Sequence, residues 1–347
     1  MKKINIVFIT VLLFLTMMLT SCELFINEPY EGEGRIILVG VGLRYSGVTS
    51  LNELNGTVND VKMLSYALQT LCKNEDKPFY WIPLTDEADS TSLNYATKEN
   101  FINAINYLKN DSSATKPLIL ANPKDFVLAT VFDENNHLIT GVIEKIELNS
   151  NDILIFQYSG HGKSDSGDLF LRSKADITKR ISLDLEGVYD LFRNLPCKSL
   201  LLLDSCFSGN AIPVSDTTIS TNDPRVKETW FFDYFNFLIN DISDEDSSFV
   251  IDNDIYILTA ATSNTESYES FVGDKIIGAF TYSVLQAFGW DIDSNSIGSQ
   301  NATIPAKTNG KITLDNIYEY IKDLPHEKHE YDARIIGGRY DLVLFDF

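Results

Sequence analysis

Two short stretches carry residues whose types could do chemistry together. In "ILIFQYSGHGKSD", a largely apolar run from Ile153 stops at Ser159-Gly160-His161-Gly162. In "LLLLDSCFSG", a second apolar run stops at Asp204-Ser205-Cys206-Phe207-Ser208-Gly209. The chain has only four histidines and four cysteines, and one of each follows directly on an apolar run. An imidazole beside a thiol is the minimal apparatus for nucleophilic catalysis: the ring takes the thiol proton and later returns one to the leaving group. Small flanking residues leave room for a substrate backbone, and glycines let N–H groups approach a developing oxyanion. Plainer readings exist. A histidine after a strand can be a polar end residue, and a cysteine there can be a small core residue.

The two stretches meet only if a sheet brings them together. "RIILVGVGL", "FYWIPL", "DILIFQYS", "SLLLLDS", "IYILTAATS" and "YDLVLF" read as strands, most of them apolar without alternation, as in a sheet covered on both faces. Helical spacing separates them. Val61, Leu64, Leu68 and Leu71 fall on one face, with Asn59 or Asp60 able to cap that helix. Phe101, Ile105 and Leu108 mark a second helix, and "LDLEGVYDLFRNL" is a third. "AFTYSVLQAFG" closes at Gly289, and "TLDNIYEYIKDL" starts at Thr313. This alternation predicts an α/β fold with a mostly parallel six-stranded sheet flanked by helices on both faces. Ligands then bind off the carboxyl ends of the strands, where His161 and Cys206 sit. Two long insertions interrupt the pattern, at about 110–151 and 210–254. The first reads as a hairpin turning at Asn135-Asn136. The second is acidic, with "WFFDYFNFLI" inside it.

The ends and the bulk composition set the context. "MKKINIVFITVLLFLTMMLTSC" has two lysines, an apolar run and a small-residue ending, the pattern of a secretory signal over 1–21. Leu19-Thr20-Ser21-Cys22 resembles a bacterial lipobox, which implies diacylation of Cys22, a tether over 22–35 and export to a bacterial membrane, periplasmic or cell-surface. The alternative, an uncleaved anchor, is short for a spanning helix. The formal charge is −21, and loss of Lys2 and Lys3 with the signal makes it more negative. Such a surface argues against nucleic acid and against charge-driven binding to anionic lipid. After Cys22, only Cys72, Cys197 and Cys206 remain, too few for a disulfide framework in an exported chain. Cys72 and Cys197 read as core thiols. His326 and His329 in "PHEKHE" read as an exposed helix end rather than a metal site, and His137 falls in the predicted turn.

"YSGHG" followed by "LLLDSCFSG" resembles the caspase-like cysteine peptidases (peptidase family C14, clan CD), and among them the metacaspase-like bacterial proteins. "LNGTVNDVKMLSYAL" is similar to the family's first-helix motif, and "ILTAATSNTESYES" with "GAFTYSVLQAFG" to its fifth strand and following helix. The similarity covers about residues 36–347 apart from the insertions, and implies a caspase-like sandwich forming one peptidase domain there. It implies that His161 is the general base, that Cys206 is the nucleophile, and that the N–H groups of Gly162 and Cys206 form an oxyanion hole. It also implies an acidic pocket for Arg or Lys built from Asp60, Ser159 and Asp204. From the residues alone, Asp60 could equally be a helix cap and Asp204 a turn residue. A Gln-Ala-Cys motif would point to cleavage after Asp; this chain has Asp204-Ser205-Cys206, which favours basic specificity. No cofactor is required by the chemistry. The resemblance allows calcium dependence, but of the family's acidic loop after His161 this chain keeps only Asp165 and Asp168. The partners implied are a peptide or protein substrate, with a monomeric enzyme. Relatives self-cleave in the 210–254 region, where Arg225 and Lys227 are the basic residues. The rival readings are a catalytically silent caspase-like interaction module and a cysteine peptidase with Asp specificity.

Overall fold

β-branched and leucine-rich runs form the strands, and the amphipathic segments between them form helices. In chain order the elements are β1 (Ile36–Gly42), α1 (Thr57–Asn74), β2 (Phe79–Thr85), α2 (Lys98–Leu108) and β3 (Ile153–Ser159). A short hairpin follows, β4 (Leu169–Arg172) and β5 (Arg180–Leu183), then α3 (Leu185–Phe192), β6 (Lys198–Asp204) and β7 (Ile255–Thr259). A second hairpin, β8 (Glu269–Val272) and β9 (Lys275–Gly278), leads into α4 (Ala279–Ala287). The chain continues through β10 (Trp290–Asp291), β11 (Ser296–Ile297), β12 (Lys307–Thr308), β13 (Lys311–Thr313), α5 (Leu314–Lys322), β14 (Arg334–Ile335) and β15 (Val343–Asp346). The computed structural model describes residues 34–123, 146–206, 208, 254–261, 266–292, 294, 296–297, 304–322, 324, 334–335 and 342–347. The expectations about the signal, Cys22, the turn at Asn135-Asn136 with His137, the 210–253 insertion with Arg225 and Lys227, and His326 and His329 lie outside the described residues.

The main sheet has six strands in the order β14-β7-β6-β3-β1-β2. Five are parallel, and β14 runs antiparallel at the edge. Successive side chains on a strand point to opposite faces, and both faces are covered. Ile36, Leu38, Ile153, Ile155, Leu200 and Leu202 pack with α1, α4 and α5. Ile37, Val39, Leu154, Phe156, Leu201 and Leu203 pack with α2 and α3 on the other side. Each such side chain, fully buried, contributes about 1.5–3 kcal/mol by leaving water, so the continuous apolar runs fix both layers at once.

Most expected element ends hold. The hydroxyl of Thr313 accepts the Asn316 N–H (3.2 Å), which caps α5, and Gly289 takes φ +73° just past α4. Two expectations are corrected. Neither Asn59 nor Asp60 caps α1: the cap position is Gly56, without a side-chain bond, and Asp60 lies inside the first turn with its carboxylate committed elsewhere. The described part of "YDLVLF", residues 342–345, does not join the main sheet. Its strand β15 pairs antiparallel with β13, and the sixth sheet position goes to β14. Leu342, Leu344 and Phe345 are buried in the cluster that holds α4 and α5, so the apolar signal that reads as a sheet strand is satisfied against helices.

Candidate active site

β3 and β6 are neighbours, with Ser159 directly opposite Asp204. The strand period of two puts both on the sheet face covered by α1 and α4. Two residues further along each chain stand His161 and Cys206, at one carboxyl edge. The Gly160 N–H donates to the Asp204 carbonyl (3.2 Å), which carries the ladder one step past the strands.

The imidazole is held from a loop that sequence reasoning missed. Nε2 of His161 lies 2.8 Å from the backbone oxygen of Asn52. A carbonyl can only accept, so Nε2 carries a proton and the lone pair of the neutral ring is on Nδ1. The Cys206 thiol is half-buried and donates to the Ser267 carbonyl (3.7 Å). Burial pushes this thiol up, and the carboxylates of Glu266 and Asp204 push it further. The resting sulfur is therefore a neutral thiol that needs a base to become a nucleophile. Gly162 sits against it: a Cβ there would be 2.0 Å from the Cys206 carbonyl oxygen, so no other residue fits without moving the Cys206 backbone.

Beside the cysteine lies a cluster of buried carboxylates. Asp60 is fully buried and accepts bonds from Ser159 Oγ (2.5 Å) and the Gly278 N–H (2.8 Å). Asp204 is 5% exposed. It accepts from Ser267 Oγ (2.6 Å), Thr281 Oγ1 (2.8 Å) and the Thr281 N–H (3.1 Å). The two carboxylates converge on Gly278, where a Cβ would lie 2.1 Å from one and 2.9 Å from the other. Glu269 adds a third carboxylate, accepting from the N–H groups of Gly56 (2.5 Å) and Asn55 (3.1 Å). Among the described residues, no lysine or arginine forms an ion pair with Asp60, Asp204, Glu266 or Glu269. Burial pushes the Asp60 carboxyl well above the ordinary range, and the charge of Asp204 adds to the shift. Asp204 is also raised, first by burial. The N-termini of α1 and α4 partly offset this cost.

The sequence-predicted residues His161, Cys206, Gly162, Ser159, Asp60 and Asp204 are thus brought to one place. Asn52, Ser267, Glu269, Gly278 and Thr281 join them unforeseen. Glu269 lies within the quoted "SNTESYES", where its acidity was visible but its hairpin was not. Asn52 acts through a carbonyl, which every residue has. Asp165 and Asp168 both lie near Lys163, at 3.0 and 3.9 Å. Among the described residues no cluster of three or more His, Cys, Asp or Glu could hold a metal. Cys72 and Cys197 are free and buried; burial raises both thiols, that of Cys197 to about 12.

Among solved structures, a protein from Geobacter sulfurreducens aligns with a TM-score of 0.43 and 14% identity, over 88% of this chain and 94% of its own. Caspase-1 from Spodoptera frugiperda aligns with a TM-score of 0.42 and 12% identity, over 89% of this chain and 90% of its own. No curated protein matches the chain. The family model for the caspase domain matches residues 134–323, more than half of the chain and a span that includes both His161 and Cys206. The chain belongs to the caspase domain family, with the α/β sheet of a cysteine peptidase-type fold.

Proposed function

We propose that this protein is a cysteine endopeptidase that cleaves peptide bonds after Arg or Lys. The observation that supports the reading is the in-register pair Ser159 and Asp204, which brings the chain at His161 and Cys206 to one sheet edge, next to two buried carboxylates without a cationic partner among the described residues. The substrate carbonyl enters between sulfur and imidazole. Nδ1 of His161 takes the thiol proton, and the sulfur attacks the carbonyl carbon. The N–H groups of Gly162 and Cys206 receive the oxyanion. The tetrahedral species collapses as the imidazolium gives its proton to the departing amine, and water, deprotonated by the same ring, releases the acyl group. The Asn52 carbonyl stabilises the imidazolium through Nε2–H. The thiol must first rotate away from Ser267.

A guanidinium beside these carboxylates supplies the missing counter-charge, and its planar fork matches carboxylates. An aspartate side chain there would add another buried negative charge, which argues against Asp specificity. Lipidation at Cys22 would place the enzyme on a bacterial membrane.

Fluorogenic peptides ending in Arg, Lys, Asp and Asn test the reading, assayed with and without calcium. Hydrolysis is expected after Arg and more weakly after Lys, and not by Cys206→Ala. Hydrolysis after Asp alone, or silence on every peptide, contradicts it and favours the rival readings. Self-cleavage follows from the same chemistry. Wild-type protein is expected to yield two fragments with a new terminus after Arg225 or Lys227, while Cys206→Ala stays whole on the same gel. Identical intact bands for both refute processing.

A further inference from the structure

Tyr45 occupies a conformation that a bulky L-residue avoids. Its φ is +61°, and it is only 1% exposed. Such positions persist where surrounding groups over-determine them. Here the clamp is ionic. The N–H groups of Arg44 and Tyr45 both donate to the Asp86 carboxylate (2.8 Å each). Arg172 grips Oδ2 of Asp86 with Nε (3.0 Å) and Nη2 (2.6 Å). The two side chains are 1% and 3% exposed. Two further guanidinium N–H groups go to the carbonyls of Ile177 (2.9 Å) and Ser46 (2.8 Å), so the turn is held on both sides.

The turn delivers Tyr45 to His161. The Tyr45 hydroxyl accepts the His161 N–H (3.1 Å), donates to the Phe170 carbonyl (2.7 Å) and lies 2.8 Å from the Tyr158 hydroxyl. Tyr158 in turn lies 2.8 Å from both the His161 and the Phe170 carbonyls, which share its single proton. The N–H and C=O of His161 are therefore each held by a tyrosine hydroxyl. The Tyr45 ring lies 5.0 Å from the imidazole, tilted by 40°. Gly160 makes room for this: a Cβ there would fall 2.6 Å from one hydroxyl and 2.7 Å from the other. Burial raises both phenols, so they remain protonated donors.

We infer that Tyr45 and Tyr158 are positioning residues for His161, kept in place by the Asp86–Arg172 pair, so that the imidazole keeps its bond to Asn52 and aims Nδ1 toward the cysteine. The inference rests on the reading of His161 as the base. A misplacement of about 1 Å in a catalytic group can cost about 100-fold in rate. Loss of one hydroxyl from this hold is expected to cost about tenfold in kcat for Tyr45→Phe, with KM for the Arg peptide unchanged. The second readout is the imidazole itself, by nitrogen-15 NMR of histidine-labelled protein. Wild type is expected to show His161 as one tautomer, protonated on Nε2, and Tyr45→Phe to show mixed or exchange-broadened signals. A kcat within twofold of wild type with unchanged imidazole signals overturns the inference, as does a rise in KM at constant kcat. If Tyr45→Phe does not fold, Tyr158→Phe takes its place with the same readouts and the same deciding outcomes. Wild-type protein inactive on every peptide defeats the peptidase reading instead, and the NMR comparison still decides whether the tyrosines hold His161.

Discussion

Cys206→Ala is expected to lower kcat on an arginine-terminated peptide by about 10⁴-fold or more, and His161→Ala by nearly as much. The double variant is expected to be hardly worse than either alone. In the proposed mechanism the dyad works as a unit: without the base the sulfur is a neutral thiol, raised by burial and by Glu266 and Asp204, and without the sulfur the base has no proton to take. Groups that act together are non-additive for this reason. A loss of 10⁴ corresponds to about 5.5 kcal/mol of barrier, larger than any single packing change expected from removing a thiol. Steady-state kinetics on the three variants decide the matter. Additive losses, or a Cys206→Ala enzyme retaining more than about a hundredth of the rate, contradict a shared Cys–His role.

The second large effect belongs to the carboxylate cluster. Asp204→Asn and Asp60→Asn are each expected to lower kcat/KM for the Arg peptide by about 100-fold, near 3 kcal/mol, the scale of losing one partner of a buried charge pair. Both amides are close in shape to the carboxyls they replace, so the pocket survives while its charge falls. The same substitutions are expected to raise the melting temperature of the empty protein at pH 7.5. The sign follows from the direction of the shifts. Both carboxyls are raised in the folded state. The stability this contributes is complete below the unfolded carboxylate range, about pH 3.9, and is lost as pH rises through the raised folded values. Arginine binding favours the ionised pair, so KM for the Arg peptide is expected to rise as pH falls through those raised values. Calorimetry across pH on wild type and Asp204→Asn checks the stability half; a wild type that gains stability toward pH 7.5 from this pair contradicts it.

Much of this site was legible in the sequence because it sits on strand ends. The apolar runs Ile153–Ser159 and Lys198–Asp204 are bounded by polar residues, and the period of two fixes which side chains share a face once the strands are neighbours. The positions of Ser159, Asp204, His161 and Cys206 follow from that arithmetic. What the sequence concealed arrives from loops and short hairpins. The Asn52 carbonyl carries no residue signature, and strands of four residues such as Glu269–Val272 are too short for periodicity to find. Asp60 is a different case. Its place near a helix start reads equally as a cap, the family resemblance groups it with Ser159 and Asp204, and the fold has it accepting from Ser159 and Gly278. "YDLVLF" misled because an apolar run states that it is buried without stating against what.

The central claim is that Cys206 is a nucleophile served by a pocket for arginine. Intact-mass spectrometry and peptide mapping after treatment with a peptidyl-arginine chloromethyl ketone test it directly. The sulfur displaces chloride and keeps the peptidyl group, so the modification is permanent. One adduct is predicted, on Cys206, absent from Cys206→Ala and formed about 100-fold more slowly in Asp204→Asn, with Cys72 and Cys197 unmodified. No adduct, or one on another cysteine, contradicts the account.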